Sequence, residues 1–458
     1  MPGSHPLLPN LDDEIVSMML ERIGARSIDE LFSDIPENVR LNRGLRIPPG
    51  QPESTVRRDL SSRLATGRTP PSSLCFLGGG VWPHYIPAVV ESIVSRQEFY
   101  TSYTPYQPEI SQGMLQGLFE YQSLMSDLLG MEACNSSMYD WASAAAEAAR
   151  MAVRVTGRRK FLVAENIAPH TLEVIRSYVE PLNLELESVP FDHSTGRVDV
   201  DRALSLIDQD VAGIYLENPN YLGVLEEEIG EVVEEIHRKK GLAVVGVDPV
   251  SMSLLRAPGD FGVDIVVGEG QPLGIPMNYG GPHLGIFAVR DLKLARSMPG
   301  RLIGATTTKD SSKRAFSMVL QTREQHIRRE SATSNICTNQ SLMAIAASAY
   351  LALLGKSGFR KLGEVIISNS HYAVKRLAKI KGLSVPAYGG SFFKEFVVGY
   401  PRGTNATSVY RKLAKIGFLA GYPLDAKFGA GQAGLYCVTE VHTAEDIESL
   451  AEAIEEVL

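Results

Sequence analysis

Between residues 74 and 290, short apolar runs alternate with amphipathic stretches of helical spacing. The runs are Leu74–Leu77, Phe161–Ala164, Leu184–Val189, Gly213–Leu216, Leu242–Val247, Ile265–Val267 and Leu284–Val289. Apolar runs this short, bounded by turn residues, predict buried strands. The stretches between them, Ala142–Val155, Pro169–Val179, Val200–Ile207 and Glu226–Arg238, predict helices. A longer helix is predicted over Glu109–Leu129, with Ile110, Met114, Leu118, Tyr121, Met125 and Leu128 on one face. Strands separated by helices imply an α/β fold: a mostly parallel sheet with helices on both faces.

The pattern differs at both ends. Leu11–Ile23 has helical spacing and is followed by Gly24 as a C-terminal cap. Ser27-Ile28-Asp29-Glu30 carries a capping-box pattern, Pro48-Pro49-Gly50 breaks the chain, and a further helix is expected over Ser54–Leu64. Residues 1–70 therefore read as a helical arm. After about Arg314, helices are predicted over Arg314–Arg328, Gln340–Leu354 and Gly358–Ala378. A strand at Phe392–Val398, a helix at Asn405–Ile416 and a strand at Leu435–Val438 follow. The last helix, Ala444–Val457, starts after Thr443, with Asp446 placed for the cap. The expected organisation is an arm (1–70), a large α/β domain (71–315) and a smaller α+β domain with connecting helices (316–458).

Composition narrows the class. A chain of 458 residues exceeds what one hydrophobic core usually covers. The net charge of −8 and the lack of a long basic run argue against nucleic acid or an anionic membrane as partner. Cys75, Cys134, Cys337 and Cys437 are far apart and lack metal-ligand spacing, so free thiols in a reducing compartment are expected. The N-terminus, MPGSHPLLPNLDDE, has no charged region followed by an apolar one, and no run of about 18 apolar residues occurs. A soluble, cytoplasmic protein is the expectation.

The candidate chemistry centres on Asp264–Val289, a Gly/Pro-rich loop between two apolar runs, with the Leu242–Val247 run ending upstream in Asp248. In α/β enzymes, a strand ending in Asp followed by another strand and a polar loop suits pyridoxal phosphate. The Asp pairs with the pyridinium nitrogen, and a lysine at the next strand end holds the aldehyde. Here the Asp is present, but no lysine occurs between Lys240 and Lys293. GEGQPLG (268–274) has the wrong spacing for a dinucleotide fingerprint, and Pro272 and Pro276 interrupt any helix start.

Four other stretches carry candidate chemistry. Asn135–Arg150 places small residues before an alanine-rich helix, but Asp140 suits an N-cap and would repel a phosphate. Glu98–Gly113 is a rigid loop with Tyr100, Tyr103 and Tyr106, suited either to buried packing or to lining a cleft. Arg323–Gln340 combines His326, Arg328 and Arg329 with Thr333, Ser334 and Asn335, which read as anion donors at a helix N-terminus or as a plain cap. His84, His193 and His283 stand alone without metal spacing and read as loop or packing histidines.

Taken together, FYTSYTPYQPEISQG, GDFGVDIVVGEGQPLGIPMNYGGPHLG and LQTREQHIRRESATSNICT resemble the glycine cleavage system P-protein family, also called glycine dehydrogenase (decarboxylating). The arm, HPLLPNLDDE…IDELFSDIP, is similar too, and the likeness runs over essentially the whole chain. It is closest to the N-terminal half of the long form, a separate subunit 1 (α) in many prokaryotes. The resemblance implies a fold-type I, pyridoxal-phosphate-dependent transferase-like architecture, a dimer with sites between subunits, and the decarboxylation of glycine. It implies as partners subunit 2 (β), the lipoyl H-protein that takes the aminomethyl group, and indirectly the T- and L-proteins.

In the family the cofactor lysine belongs to a His-Lys pair in subunit 2. Laid onto this sequence, that pair falls on Gln271 and Pro272, so the resemblance implies that no Schiff base forms here. Asp248 matches the pyridinium-pairing residue of a pocket that reads as degenerate. The cofactor would then sit on the partner, with Thr333, Ser334 and Asn335 reaching its phosphate in trans and Tyr103, Tyr106 and Gln107 lining a shared cleft. Two other readings stay open: a self-sufficient enzyme using Lys293 or Lys309, and a non-catalytic scaffolding or regulatory paralogue.

Overall fold

The computed structural model describes residues 7–8, 11–66, 74–429 and 432–458. Most of the leading residues read above for a targeting signal, and the arm boundary expected near residue 70, lie outside the described residues. The chain divides into two compact units, Met1–Arg68 and Thr69–Leu458.

In the first unit, helix α1 (Asp13–Ile23) is capped by the Asp12 carboxylate on the Glu14 N–H and ends at Gly24 with φ 74°. Only glycine adopts that left-handed geometry without strain, which is why the helix stops there. The capping box expected at Ser27 does not form. Ser27 makes no side-chain cap, and Glu30 reaches back instead to the Arg26 N–H at 2.8 Å, beside a short 3-10 helix, Ile28–Phe32. Helix α2 (Glu53–Thr66) follows.

The second unit opens with β1 (Cys75–Phe76), α3 (Ala88–Val94), α4 (Gln97–Tyr100) and α5 (Gln112–Leu129). The α/β alternation then runs through β2 (Ala133–Cys134), α6 (Trp141–Thr156), β3 (Lys160–Ala164), α7 (Pro169–Val179), β4 (Glu185–Val189), α8 (Val200–Leu206), β5 (Val211–Glu217), α9 (Ile229–Arg238), β6 (Leu242–Val247), β7 (Ile265–Glu269), β8 (Gly285–Val289) and α10 (Leu292–Ala295). Seven strands form one sheet in the order β2-β8-β7-β6-β5-β3-β4. Only β8 runs against the rest. It returns from β7 through a loop without a crossover helix, and parallel pairing needs such a crossover. Every residue of β5, β7 and β8 is buried. The small side chains of α6 let it lie close to the sheet: a Cβ on Gly213 would stand 3.2 Å from that of Ala152.

Beyond α10, the helix expected over Arg314–Arg328 is absent. Residues 302–319 form an antiparallel hairpin of β9 (Leu302–Thr307) and β10 (Arg314–Val319), followed by a one-turn helix α11 (Gln325–Arg328). The period over Ala315–Val319 is two: Phe316 and Met318 are buried, while Ala315 and Ser317 are half-buried and Val319 is exposed. The two helices expected around residue 355 merge into α12 (Ser341–Leu377), broken at Gly355, whose φ of 58° and ψ of −177° are not helical. Length and hydropathy alone would let α12 cross a membrane. Its Ala344, Ala347 and Tyr350 are instead buried in the main core.

The chain closes with β11 (Glu395–Gly399), α13 (Ala406–Lys415), β12 (Leu419–Ala420), β13 (Tyr422–Pro423), β14 (Ala433–Cys437) and α14 (Ala444–Val457). A three-stranded antiparallel sheet, β11-β14-β13, packs Phe396 and Tyr436 into a second core with Leu450 and Ile454. Thr443 and Asp446 form the anticipated capping box of α14. The early strand β1 pairs with β12, and His442 Nε2 bonds the Cys75 carbonyl at 2.9 Å. Residues 75–85 are thereby held against the C-terminal layer.

Candidate functional site

Ligands of open α/β sheets bind past the carboxyl ends of the strands. Here Glu217 ends β5, Asp248 follows β6 and Glu269 ends β7. A narrow pocket opens beside Glu217 and Asp248, closed on its other walls by Trp82, Trp141, His170, Lys394 and Glu395.

Asp248 and Lys394, 4% and 2% exposed, are the charged pair at its floor. The Lys394 ammonium stands 2.9 Å from Asp248 Oδ2, an oxygen with no hydrogen-bond partner of its own among the described residues. The same ammonium lies 3.8 Å over the Trp82 ring and donates to His84 Nε2 at 3.1 Å. Lysine has no acceptor, so His84 Nε2 is the lone pair and Nδ1 carries the proton that Glu440 Oε2 accepts at 2.8 Å. Burial and the Lys394 charge hold the His84 imidazole below its ordinary range. Burial opposes the Glu440 carboxylate, yet the His84 contact and the Tyr85 N–H bring its pKa below the usual value.

Two further carboxyls face the pocket. Burial pushes Glu217 up to about 8, against hydrogen bonds from Tyr215 at 3.0 Å and the Ala168 N–H at 3.2 Å. Burial pushes Glu395 up to about 7, with Lys394 and the Gly79 N–H at 2.6 Å pulling it down. Gly78 is required beside it, because a Cβ there would stand 2.0 Å from Glu395 Oε1.

The β7–β8 loop is fastened from within. Gln271 accepts from the Trp82 N–H at 3.0 Å and donates to the carbonyls of Trp82 at 3.2 Å and Ile275 at 2.8 Å. Gln271 thus clasps the backbone of Trp82. Pro272, next to it, is buried. Asp140 Oδ1 caps Ser143 N at 2.7 Å at the start of α6, in a full capping box. Glu269 Oε2 accepts from Trp141 N at 3.3 Å and Glu269 Oε1 from Leu284 N at 2.9 Å. Glu269 also holds the His283 imidazole above its ordinary pKa.

These residues do not fit pyridoxal phosphate in this pocket. Proline at 272 offers no amine. The start of α6 is covered by two carboxylates, where a phosphate would need N–H donors and positive charge. Asp248 already faces an internal cation. Lys293 and Lys309 do not line the pocket: Lys293 is exposed on α10, and Lys309 lies in the turn between β9 and β10.

The other residues singled out in the sequence gather elsewhere, in an open groove. Arg301, only 5% exposed, donates to Tyr106 Oη at 3.0 Å, lies over its ring and stands 3.8 Å from Glu324. The Tyr106 and His326 rings meet edge to face at 5.9 Å. Arg301, Arg323, Thr333 and Ser334 share the lining of one small cavity. Glu324, His326, Arg329 and Cys337 line the adjoining open depression. Thr333–Asn335 do not open a helix as expected. They lie in irregular chain, and α12 begins only at Ser341. Arg154 fixes this stretch by donating to the carbonyls of Thr333 at 3.0 Å and Ser297 at 2.6 Å. Ser334 is buried and accepts from Ile336 N at 3.0 Å, whereas Asn335, Tyr103 and Gln107 are exposed.

Sequence reasoning missed Lys394, His84, Glu440 and Arg301 as members of these sites. The signal for Lys394 was present. Ser-Phe-Phe-Lys-Glu-Phe-Val-Val puts two charges inside an apolar run, and buried charges must be paired.

The architecture is that of fold-type I pyridoxal-phosphate enzymes. A glutamate decarboxylase from Lactobacillus brevis CGMCC 1306 shares it at TM-score 0.68 and 13% identity, over 93% of this chain and 97% of that one. Residues 8–454 match the glycine cleavage system P-protein profile. The probable glycine dehydrogenase (decarboxylating) subunit 1 of Staphylothermus marinus is 49% identical over 99% of this chain and 98% of its own. A solved glycine decarboxylase (P-protein) of the glycine cleavage system, in inhibitor-bound form, superposes at TM-score 0.88 with 38% identity, covering 100% of this chain and 99% of that one. The chain belongs to the glycine cleavage system P-protein family, in its subunit 1 form.

Proposed function

We propose that this chain is the subunit of glycine dehydrogenase (decarboxylating) that completes, rather than holds, the reacting centre. A companion subunit 2 carries pyridoxal phosphate on its own lysine. The cofactor there supplies the electron sink for loss of CO2 from glycine, and the aminomethyl group passes to lipoyl H-protein, with the T- and L-proteins acting downstream. The enzyme works in the cytoplasm, where the four free thiols stay reduced.

The observation that carries this reading is the contrast at residue 272. The position matched to the family lysine is a buried proline, and the pocket behind it is filled by this chain's own ion pairs. Arg301, Arg323, His326 and Arg329, with Glu324 and Glu330 between them, instead gather around the open groove, where the arginines outnumber the carboxylates. A cationic groove suits a phosphate presented by a neighbour. Thr333 and Asn335 supply donors there, and Tyr103, Tyr106 and Gln107 wall it. Arg301 positions the Tyr106 hydroxyl, and Arg154 holds the Thr333 backbone in place.

The test is cofactor affinity and glycine-dependent exchange of labelled CO2 in the mixed complex. Thr333→Ala and Asn335→Ala should each weaken cofactor retention by about tenfold, the loss of one charge-assisted hydrogen bond. Unchanged retention in both would remove this loop from the site. Exchange by subunit 2 alone at the full rate would leave this chain a scaffold.

A further inference from the structure

We infer that Lys394 is the resident occupant of the pocket behind Asp248: its ammonium stands where a ring cation would meet that carboxylate, and it keeps the pocket shut to pyridine-type cofactors. The inference concerns this chain's own residues and stands whether or not the open groove serves a neighbouring site.

Four observations converge. First, Asp248 is buried after β6, and among the described residues Oδ2 meets no polar partner other than the Lys394 ammonium. The Lys394 ammonium at 2.9 Å supplies its counter-charge. A buried carboxylate without a cation would be strongly unfavourable, so the Asp is tenable here because the lysine is present.

Second, Lys394 is held rather than swung in. Its carbonyl accepts from Val438 N at 2.9 Å, its ammonium donates to His84 at 3.1 Å, and the Trp82 ring lies 3.8 Å away. A flexible side chain fixed at several points has little freedom left to make way for a ligand.

Third, the aromatic wall is part of the same lock. Trp82 is positioned by Gln271, which bonds both its N–H and its carbonyl. The residue beside the missing amine thereby sets the ring against which the substitute cation lies. Fourth, the far end of the pocket is closed to a phosphate by Glu269 and Asp140 at the start of α6. Three features of a ring-phosphate site are thus replaced from within: cation, amine and anion cradle. The functional consequence is partition. Free cofactor finds no ring site in this subunit and is left to its companion.

The chain offers its own reporter. Its only two tryptophans, Trp82 and Trp141, both line this pocket. Purified full-length chain is titrated with pyridoxine, which carries the ring nitrogen but neither aldehyde nor phosphate, and tryptophan fluorescence is followed. Wild type should show no saturable change. Lys394→Ala should bind pyridoxine with an apparent affinity gain of at least about tenfold. Lys394→Ala with Asp248→Asn should lose that gain. Saturable binding by wild type, or none by a folded Lys394→Ala chain, would overturn the proposal.

The melting temperatures of Lys394→Met, Asp248→Asn and the double variant cover the case in which the alanine variant does not fold. The double variant should recover most of what either single variant loses. Losses that simply add would show that the two groups are not partners, and would equally overturn the proposal.

Discussion

The buried pocket and the open groove are built from the same residue kinds, arginine or lysine, carboxylate, histidine and aromatic ring, yet they are opposites. In the pocket the charges are met inside the chain: Lys394 by Asp248, and the Glu440 carboxylate by the neutral His84 Nδ1–H. In the groove, Arg301 and Arg323 are anchored by carbonyls, a phenol and one carboxylate, while His326 stays half exposed and Arg329 exposed. Matching a charge internally removes it from chemistry with a ligand. Leaving it anchored but under-compensated keeps it available to one. The comparison separates a site that has been filled from a surface that is unfinished.

The largest effect expected is on the filled side. Replacing Lys394 with methionine strands a buried carboxylate, and breaking such a pair by removing one partner typically costs ~3–5 kcal/mol. Chemical denaturation of Lys394→Met should show a loss of that order. A loss below ~1 kcal/mol would mean that Asp248 is solvated, and the contrast would fail.

Next comes pH. Glu217 and Glu395 titrate near 8 and 7 in the folded chain, against an ordinary value of 4.5. The folded state therefore holds extra protons between those values. Their contribution is complete below pH 4.5 and is lost as pH rises through 7 and then 8. Stability should fall with a slope of up to ~1.4 kcal/mol per pH unit for each group. Glu217→Gln and Glu395→Gln should flatten the curve measured from pH 5 to 8.5, and a slope unaltered in both would refute the assignment.

Gln271→Ala removes the clasp on Trp82 and leaves a buried N–H and two carbonyls less satisfied, for a loss of ~2–3 kcal/mol. Tryptophan emission should shift to the red as Trp82 loosens. Tyr106→Phe removes a single hydroxyl from Arg301 and should cost about 1 kcal/mol. Smallest should be the effect of Asn335→Ala on the chain alone, within ~0.5 kcal/mol, because the side chain is exposed. A small effect on folding combined with a clear loss of cofactor retention in the complex is the signature of an unfinished surface. A large effect on folding would make Asn335 structural.

Much of the scaffold was legible because local physics wrote it. The short apolar runs became β3 to β8, Gly24 ended α1, and Thr443 capped α14. The hairpin at 302–319 was not legible. Its alternation is brief, and a helix also accommodates Ala, Met and Arg. Of the filled pocket, Asp248 could be read, since it ends an apolar strand, while Gln271 and Pro272 came into view only through the family resemblance. The groove was half legible. Tyr106 and Thr333 stood out, but Arg301, which joins the tyrosine loop to Glu324, did not.

The sequence by itself determined the order of strands and helices, the acid after β6 and the absence of lysine between Lys240 and Lys293, because these depend on periodicity and on what a side chain is. Tertiary structure alone decided that Lys394 faces Asp248, that His84 bridges to Glu440, and that Gln271 grips Trp82. Those pairings join segments far apart in the chain. Their energy comes from the removal of water around both partners at once, and no local pattern records which distant group will share the dry space.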